Sequence, residues 1–400
     1  MNKIISLLKE EPHRVLTTNI LPYWMNNMVD QEHGGFYGRI TGTEQPMPEA
    51  DKGAILNCRI LWTFSAAYRL LKKAEYLDVA TRAKRYIIDH FYDQEFGGLY
   101  WSLDYKGRPS STKKQIYALG FAIYGLSEYY RATRDEEALA YAIRLFESIE
   151  IHSFDTLKNG YYEAFDRQWN EIADMRLSDK DANERKTMNT HLHILEPYTN
   201  LYRVWKDERL KKQLYNLVHL FTDQIWNPSN GHLQLFFNND WESKYNLYSY
   251  GHDIEASWLI HEAALELDDK PLLAKVEPII VQIARAAAEG LLPDGSMIYE
   301  RNLDTGHLYK DRHWWVQAEA VVGYLNLYQH FGDEDALDKA LNCWLFTRDH
   351  LVDNTHGEWF WSIAEAGAVN HTDDKAGFWK CPYHNGRMCM EIIERFKKNG

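Results

Sequence analysis

A chain of 400 residues with 45% hydrophobic and 26% charged side chains holds ample material for a globular core. Its net charge of −13 excludes nucleic acid and anionic membranes as expected partners, because either requires a basic face. The apolar run at residues 1–8 is too short, and too soon followed by Lys9, Glu10 and Glu11, to read as a secretory leader, and no apolar stretch is long enough to span a membrane.

The cysteines, Cys58, Cys343, Cys381 and Cys389, form no C-x-x-C pair, so neither a zinc knuckle nor a disulfide framework is expected, and a reduced cytoplasm is the expected location. No glycine-rich phosphate loop can be read either.

Along the chain a turn leads repeatedly into a glycine and a short, aromatic-rich strand. The copies are Gly34-Gly35-Phe36-Tyr37, Gly97-Gly98-Leu99-Tyr100, Gly160-Tyr161-Tyr162, Gly231-His232-Leu233, Gly295-Ser296-Met297 and Gly357-Glu358-Trp359-Phe360. Their spacings are 63, 63, 71, 64 and 62 residues, and Asp30, Asp93, Asp155, Asn227 or Asp353 often stands just before. Helical periodicity is clearest over 55–71, 117–131, 136–148, 187–204, 254–266, 316–331 and 337–351. One period therefore carries two helices and a hairpin, which is the signature of a repeat architecture.

A pair of helices cannot bury its apolar faces alone. Six units are expected to close into an all-α (α/α)6 barrel, with short β-hairpins at one rim. No Pro-, Ser- or Gly-rich linker interrupts the repeat, so residues 1–400 are expected to form one catalytic domain. Inner-helix ends and rim loops, 166–186 and 301–313 among them, would surround a central cavity, the usual place for a site. The 14 Trp and 26 Tyr suit both wide inter-helix gaps and the C–H faces of sugar rings.

Four regions concentrate polar and aromatic groups. In the first, Arg59 lies within the apolar run 54–62; it either snorkels to a helix end or holds a substrate oxygen. In the second, Asn189 and His193 are four apart and share a helical face, while His191 points elsewhere and reads as structural. In the third, Gly251 followed by His252 and Asp253 reads as a helix start, with Ser249 or Asp253 available for capping. There His252, Glu255 and Trp258 recur every three residues, so the carboxylate can orient the imidazole. The same pair can ligate a metal, but it supplies fewer ligands than a metal site usually takes, and no metal is expected. The fourth region combines Trp314, Trp315 and Glu319 with a Pro382- and Gly386-framed turn that presents His384 beside Trp379. Two separated histidines with orienting carboxylates suit general acid–base proton transfer on a polyol.

These strings resemble the N-acylglucosamine 2-epimerase superfamily over the whole chain and, within it, the cellobiose 2-epimerase branch. The matching runs are Asp51-Lys52-Gly53 with Arg59-Ile60-Leu61-Trp62, Lys186-Thr187-Met188-Asn189 through His193, Ser249-Tyr250-Gly251-His252-Asp253-Ile254-Glu255-Ala256, Trp314 through Ala320, and Trp379 through Arg387. The resemblance implies an (α/α)6 barrel and cofactor-independent epimerisation at C2 of the reducing-end glucose of a β-1,4-linked disaccharide. Cellobiose would become glucosyl-mannose, and lactose epilactose. It further implies that His252 and His384 are the acid/base pair, that His193 assists, and that Arg59 and Asn189 bind oxygens of the open chain. Glu255 would orient His252, and Glu319 would hold hydroxyls or a histidine. Trp315 and Trp379 would grip the rings, Trp258 would shape the pocket, and Tyr117 would join the substrate-binding set. The partner expected is a small sugar, bound by a monomer or weak homodimer.

Rival readings are a monosaccharide or N-acylglucosamine epimerase or isomerase on the same scaffold, a glycoside hydrolase using Glu255 and Glu319, and a non-catalytic sugar-binding protein. The hydrolase needs two carboxylates flanking the bond, about 5–9.5 Å apart.

Overall fold

The computed structural model describes residues 2–398, and its helices form two concentric rings. The first outer element is α1 (Asn2–Val15), which continues through the π-helical turn Leu16–Ile20 into α2 (Leu21–Asn27). Then come α3 (Ala54–Leu71), α4 (Ala74–Tyr86), α5 (Ile116–Thr133), α6 (Glu136–His152), α7 (Met188–Val204), α8 (Glu208–Leu220), α9 (Tyr250–Leu267), α10 (Lys270–Ala287), α11 (Trp314–Phe331), α12 (Glu334–Phe346) and α13 (Tyr383–Lys398).

Helices α3, α5, α7, α9, α11 and α13 each pack on the next, and α13 returns to α3. Outside them α4, α6, α8, α10 and α12 each cover the inner helix that precedes them, and α1 covers α13. This is the (α/α)6 barrel. The chain's two ends thus complete one pair. Glu11 of α1 joins them to α12, accepting from Trp344 Nε1 at 2.9 Å and from Arg348 at 3.3 Å.

Burial patterns explain which helix takes which ring. In α3 every residue from Ala54 to Ala67 is buried, because the helix touches neighbours on all sides. In α8 the buried set is Leu210, Leu214, Leu217, Val218 and Leu220, a stripe along one face, as an outer helix requires. Helices α4, α8, α10 and α13 were not among the clearest periodic segments. The periodic segment at 254–266 begins earlier, at Tyr250, so His252 stands in the first turn of α9.

The repeated glycine turns fold the chain back onto the end of each outer helix. Single antiparallel bridges join Val29 to Phe36, Tyr92 to Leu99, Phe154 to Tyr161, Trp226 to Leu233, Leu291 to Met297 and Val352 to Trp359. A φ of +73° at Gly97 and +85° at Gly160 shows why glycine recurs there.

Two short rim hairpins lie within a unit, Ser102–Leu103 with Pro109–Ser111 and Glu300–Asn302 with Leu308–Tyr309, while the remaining pairings join one unit to another. Residues entering an inner helix pair with the following unit: Lys52–Gly53 with Ser102–Leu103, Lys114–Gln115 with Ala164–Phe165, and Lys186–Thr187 with Phe236–Phe237. Leu247–Ser249 likewise pairs with Glu300–Asn302, Arg312–His313 with Ser362–Ile363, and a bridge from Ile40 to Ala376 closes the circle.

A buried lysine locks several of these turns. Lys52 donates to Asp30 at 2.7 Å and to the Gly34 carbonyl at 2.7 Å. Lys114 repeats the contact with Asp93 and Gly97, and Lys186 with Asp155 and Asn159. The Lys52–Asp30 pair is wholly buried, so removing one partner strands a charge. Lys52→Met is expected to destabilise the protein by ~3–5 kcal/mol, read from urea unfolding. A double change with Asp30→Asn should recover most of the loss, and an unchanged midpoint in the single variant would contradict the assignment.

Candidate active site

All inner helices begin at the hairpin rim, so their first two turns surround the mouth of the barrel. Those turns carry Arg59 on α3, Tyr117 on α5, Asn189 and His193 on α7, His252 on α9, Trp315 on α11 and His384 on α13. Trp379 precedes α13. Asn189, His252, Trp315 and Trp379 are partly exposed, whereas Arg59, Tyr117, His193 and His384 are buried.

The imidazoles of His252 and His384 lie on the same indole, with ring centres 4.8 and 5.6 Å from that of Trp315. His193 packs between Tyr117 and Phe121, each ring 4.9 Å away. Tyr117 also meets Trp379 at 6.1 Å. Arg59 donates to Tyr117 Oη at 2.8 Å and lies over the Phe121 and Tyr383 rings at 4.2 and 4.8 Å. The partners of Arg59 among the described residues are the Trp379 carbonyl, Cys381 Sγ and Tyr117 Oη, none of them a carboxylate, and its Nε has no partner there. The Asn189 Oδ1 is likewise buried without a partner among them.

One turn deeper lies a buried ion network. Arg387 donates to Glu255 at 2.6 Å and to Glu319 at 2.7 Å, and it also contacts Glu196 and Tyr383. Glu196 accepts from Tyr383 Oη at 2.5 Å and meets His193 Nδ1 at 3.1 Å. Glu319 receives His384 Nδ1 at 2.6 Å and Trp258 Nε1 at 3.1 Å. Each histidine therefore has its Nδ1 tied down: His193 by Glu196, His384 by Glu319, and His252 by Ser249 Oγ at 2.7 Å.

The charges in this network are uneven. Burial raises the pKa of Glu255 well above the carboxylate range, with Glu319 pushing the same way and Arg387 opposing. Burial raises Glu319 as well. Glu319 accepts from three donors, while the second oxygen of Glu255 has no partner among the described residues, so the retained proton belongs on Glu255. Burial also works against an ionised Glu196, but Arg387, His193 and Tyr383 hold it at about 2. Burial moves His252 down to about 3 and His384 well below the usual imidazole value, the latter helped by Arg59 and Arg387. Both rings are neutral at pH 7.

Glu255, Glu319 and His384 bring three ligand-type atoms within 4.8 Å of one another. The Arg387 guanidinium already lies on both carboxylates and supplies the positive charge there.

The structure corrects several local expectations. Glu255 does not orient His252; it holds Arg387 and stands 3.8 Å from His384 Nδ1. Trp258 is 1% exposed and lies under Arg387, 4.7 Å away, so it supports the carboxylates from below. His384 is in the first turn of α13, not on a loop, because Pro382 lies just ahead of a helix start, where a missing N–H is harmless. Ser249 makes no cap bond, and Asp253 reaches back to the preceding glycine turn, meeting His232 Nδ1 at 2.7 Å. His191 fits its structural reading: it meets the Thr187 carbonyl at 2.6 Å and accepts from the Tyr161 N–H at 2.9 Å.

A profile of the N-acylglucosamine 2-epimerase (GlcNAc 2-epimerase) family matches residues 35–386. The chain belongs to this family. A cellobiose 2-epimerase from Bacteroides fragilis is 69% identical over 97% of this chain and 99% of its own length. One from Ruminococcus albus is 42% identical over 98% and 99%. The solved structure of cellobiose 2-epimerase from Bacillus thermoamylovorans superposes with a TM-score of 0.93 at 44% identity, covering 99% of this chain and all of that one. The protein is thus an epimerase, an enzyme of the isomerase class.

This epimerase contains site residues that local reading passed over. Glu196 follows His193 by three, the same interval as His252 to Glu255 and His384 to Arg387, so that spacing was the available signal. Glu163, which accepts from the Thr187 N–H at 2.9 Å and Thr190 Oγ1 at 2.6 Å, seats the start of α7; burial pushes its pKa to about 8. Nothing near it in the chain marks that role.

Proposed function

We propose that this epimerase interconverts glucose and mannose configurations at C2 of the reducing end of β-1,4-linked disaccharides, taking cellobiose to glucosyl-mannose and lactose to epilactose. The observation that carries the reading is the placement of two neutral imidazoles, His252 and His384, against one partly exposed indole. The similarity to cellobiose 2-epimerases supports the substrate class.

The pyranose first opens to the aldehyde, assisted by His193. One histidine takes the C2 proton on its Nε2, and the electron pair left behind forms the C1–C2 double bond of a cis-enediolate. Negative charge then develops on the carbonyl oxygen. Arg59, a buried cation with no carboxylate partner among the described residues, is a preorganised donor for that charge. The inner-helix N-termini, which converge on the mouth, add a field of the same sign. The C2–C3 bond rotates, and a proton returns to the opposite face. Asn189 and Tyr117 hold oxygens of the open chain, and Trp315 and Trp379 grip the rings. Reversibility requires His252 and His384 to exchange acid and base roles between directions. The whole ring serves as one catalytic domain.

Incubation with cellobiose, lactose, N-acetylglucosamine and mannose, followed by chromatography, tests the substrate. Glucosyl-mannose and epilactose are the expected products. Turnover of the monosaccharides alone would overturn the disaccharide assignment, and free glucose would favour hydrolysis by the two glutamates.

The pH dependence is a separate expectation. An ordinary imidazole protonates near pH ~6.5. Because the folded protein lowers the pKa of both histidines, they stay neutral as the pH falls through that value. The kcat/KM is expected to stay level from pH 8 to below 6 and to fall only under more acidic conditions. A half-maximal point at the ordinary imidazole pKa would contradict the burial of the pair.

A further inference from the structure

We propose that Ser249 is a positioning residue for His252: its hydroxyl oxygen accepts the Nδ1–H and so fixes the tautomer whose bare Nε2 faces the sugar. This rests on the catalytic reading of His252 given above and deepens it.

Serine directly before a helix ordinarily caps it, accepting from an N–H of the first turn. Asp207, Asp269 and Asp333 do this at the starts of α8, α10 and α12. Ser249 occupies the same position ahead of α9 and makes no such bond. Its Oγ is instead 2.7 Å from His252 Nδ1. The serine is buried, the imidazole is partly exposed, and the serine's backbone is pinned by pairing with Glu300. A local stabilising bond has been given up for a contact with a site residue.

A neutral imidazole carries one proton, and an aliphatic hydroxyl accepts or donates. If Ser249 donated, Nδ1 would be the acceptor and Nε2 would present an N–H, leaving no lone pair to take a proton from carbon. With Ser249 accepting, Nε2 is the base. After it takes the C2 proton, the imidazolium still donates Nδ1–H to the same oxygen, so the contact persists through the cycle. His384 has the equivalent contact with a carboxylate, Glu319, at 2.6 Å. A hydroxyl stabilises an imidazolium less than a carboxylate does.

The test combines nitrogen-15 NMR of histidine-labelled protein with kinetics on cellobiose. In the wild-type protein the His252 signals, identified by their loss in His252→Asn, should show a protonated Nδ1 and a bare Nε2. Ser249→Ala should populate both tautomers and lower kcat about 10-fold, the worth of one hydrogen bond, with KM little changed. Ser249→Thr, which keeps the hydroxyl, should restore both. A wild-type ring protonated at Nε2, or Ser249→Ala with unaltered kcat, would overturn the proposal; the first needs no serine variant to fold. If His252→Asn is inactive while Ser249→Ala is unaffected, only the serine assignment falls. If His252→Asn turns over normally, the reading of the site falls with it.

Discussion

Replacing His384 with Asn is expected to slow conversion of cellobiose by about 10²–10⁴-fold, the range for loss of one general acid–base group, while leaving the barrel folded. The effect is large because, of His252 and His384, His384 is the one supported by a carboxylate, with Nδ1 2.6 Å from Glu319. That contact stabilises the imidazolium formed when Nε2 takes a proton, and it fixes the ring's orientation. Asn keeps a polar group of similar breadth and leaves Arg387, Glu255 and Glu319 paired among themselves. The measurement is initial rate by chromatography, with circular dichroism as the check on folding. A rate near that of the unmodified enzyme would remove His384 from the chemistry.

Arg387→Met should act on stability first. The guanidinium contacts three buried carboxyls, those of Glu196, Glu255 and Glu319, and its own side chain is buried. Only Glu255 is already neutral, so the substitution strands charge on Glu196 and Glu319. Breaking a buried pair in this way costs ~3–5 kcal/mol, and here more than one pair is lost. Urea unfolding is expected to show at least that loss. Adding Glu196→Gln should recover part of it, because one stranded charge is removed. A midpoint like that of the unmodified protein would show that the network is not held together by Arg387.

The ring was legible because its determinant is local and repeated. Each glycine turn sits at the end of an outer helix, so a fixed period in the sequence became a fixed position in the barrel. The strands that stitch one unit to the next were not legible, since Lys52–Gly53 pairs with residues about one turn unit further on and carries no alternating pattern of its own. The residues at the mouth, His252, His384, Arg59 and Asn189, stood out as polar groups in apolar or turn-like contexts. Their partners did not. His384 meets Glu319 from 65 positions away, and Arg387 meets Glu196 from 191. Local spacing instead suggested Glu255 for His252, a pairing on one helix that the actual packing replaces with contacts across the ring.

The reading of Pro382 and Gly386 as a turn failed for a related reason. Both residues break helices in isolation, but Pro382 stands just outside α13. Gly386 is used for close packing: a Cβ there would lie 3.2 Å from the Thr63 methyl group. Tertiary contact overrode propensity at the helix that carries His384 and Arg387.

Epimerisation through His252 and His384 requires that a proton leave C2 to a side chain and that one return to the other face. Proton NMR of cellobiose incubated with the enzyme in D2O tests it most directly. The predicted result is a mannose-configured reducing end that carries deuterium at C2. A mannose-configured product retaining protium at C2 throughout would contradict proton transfer through His252 and His384.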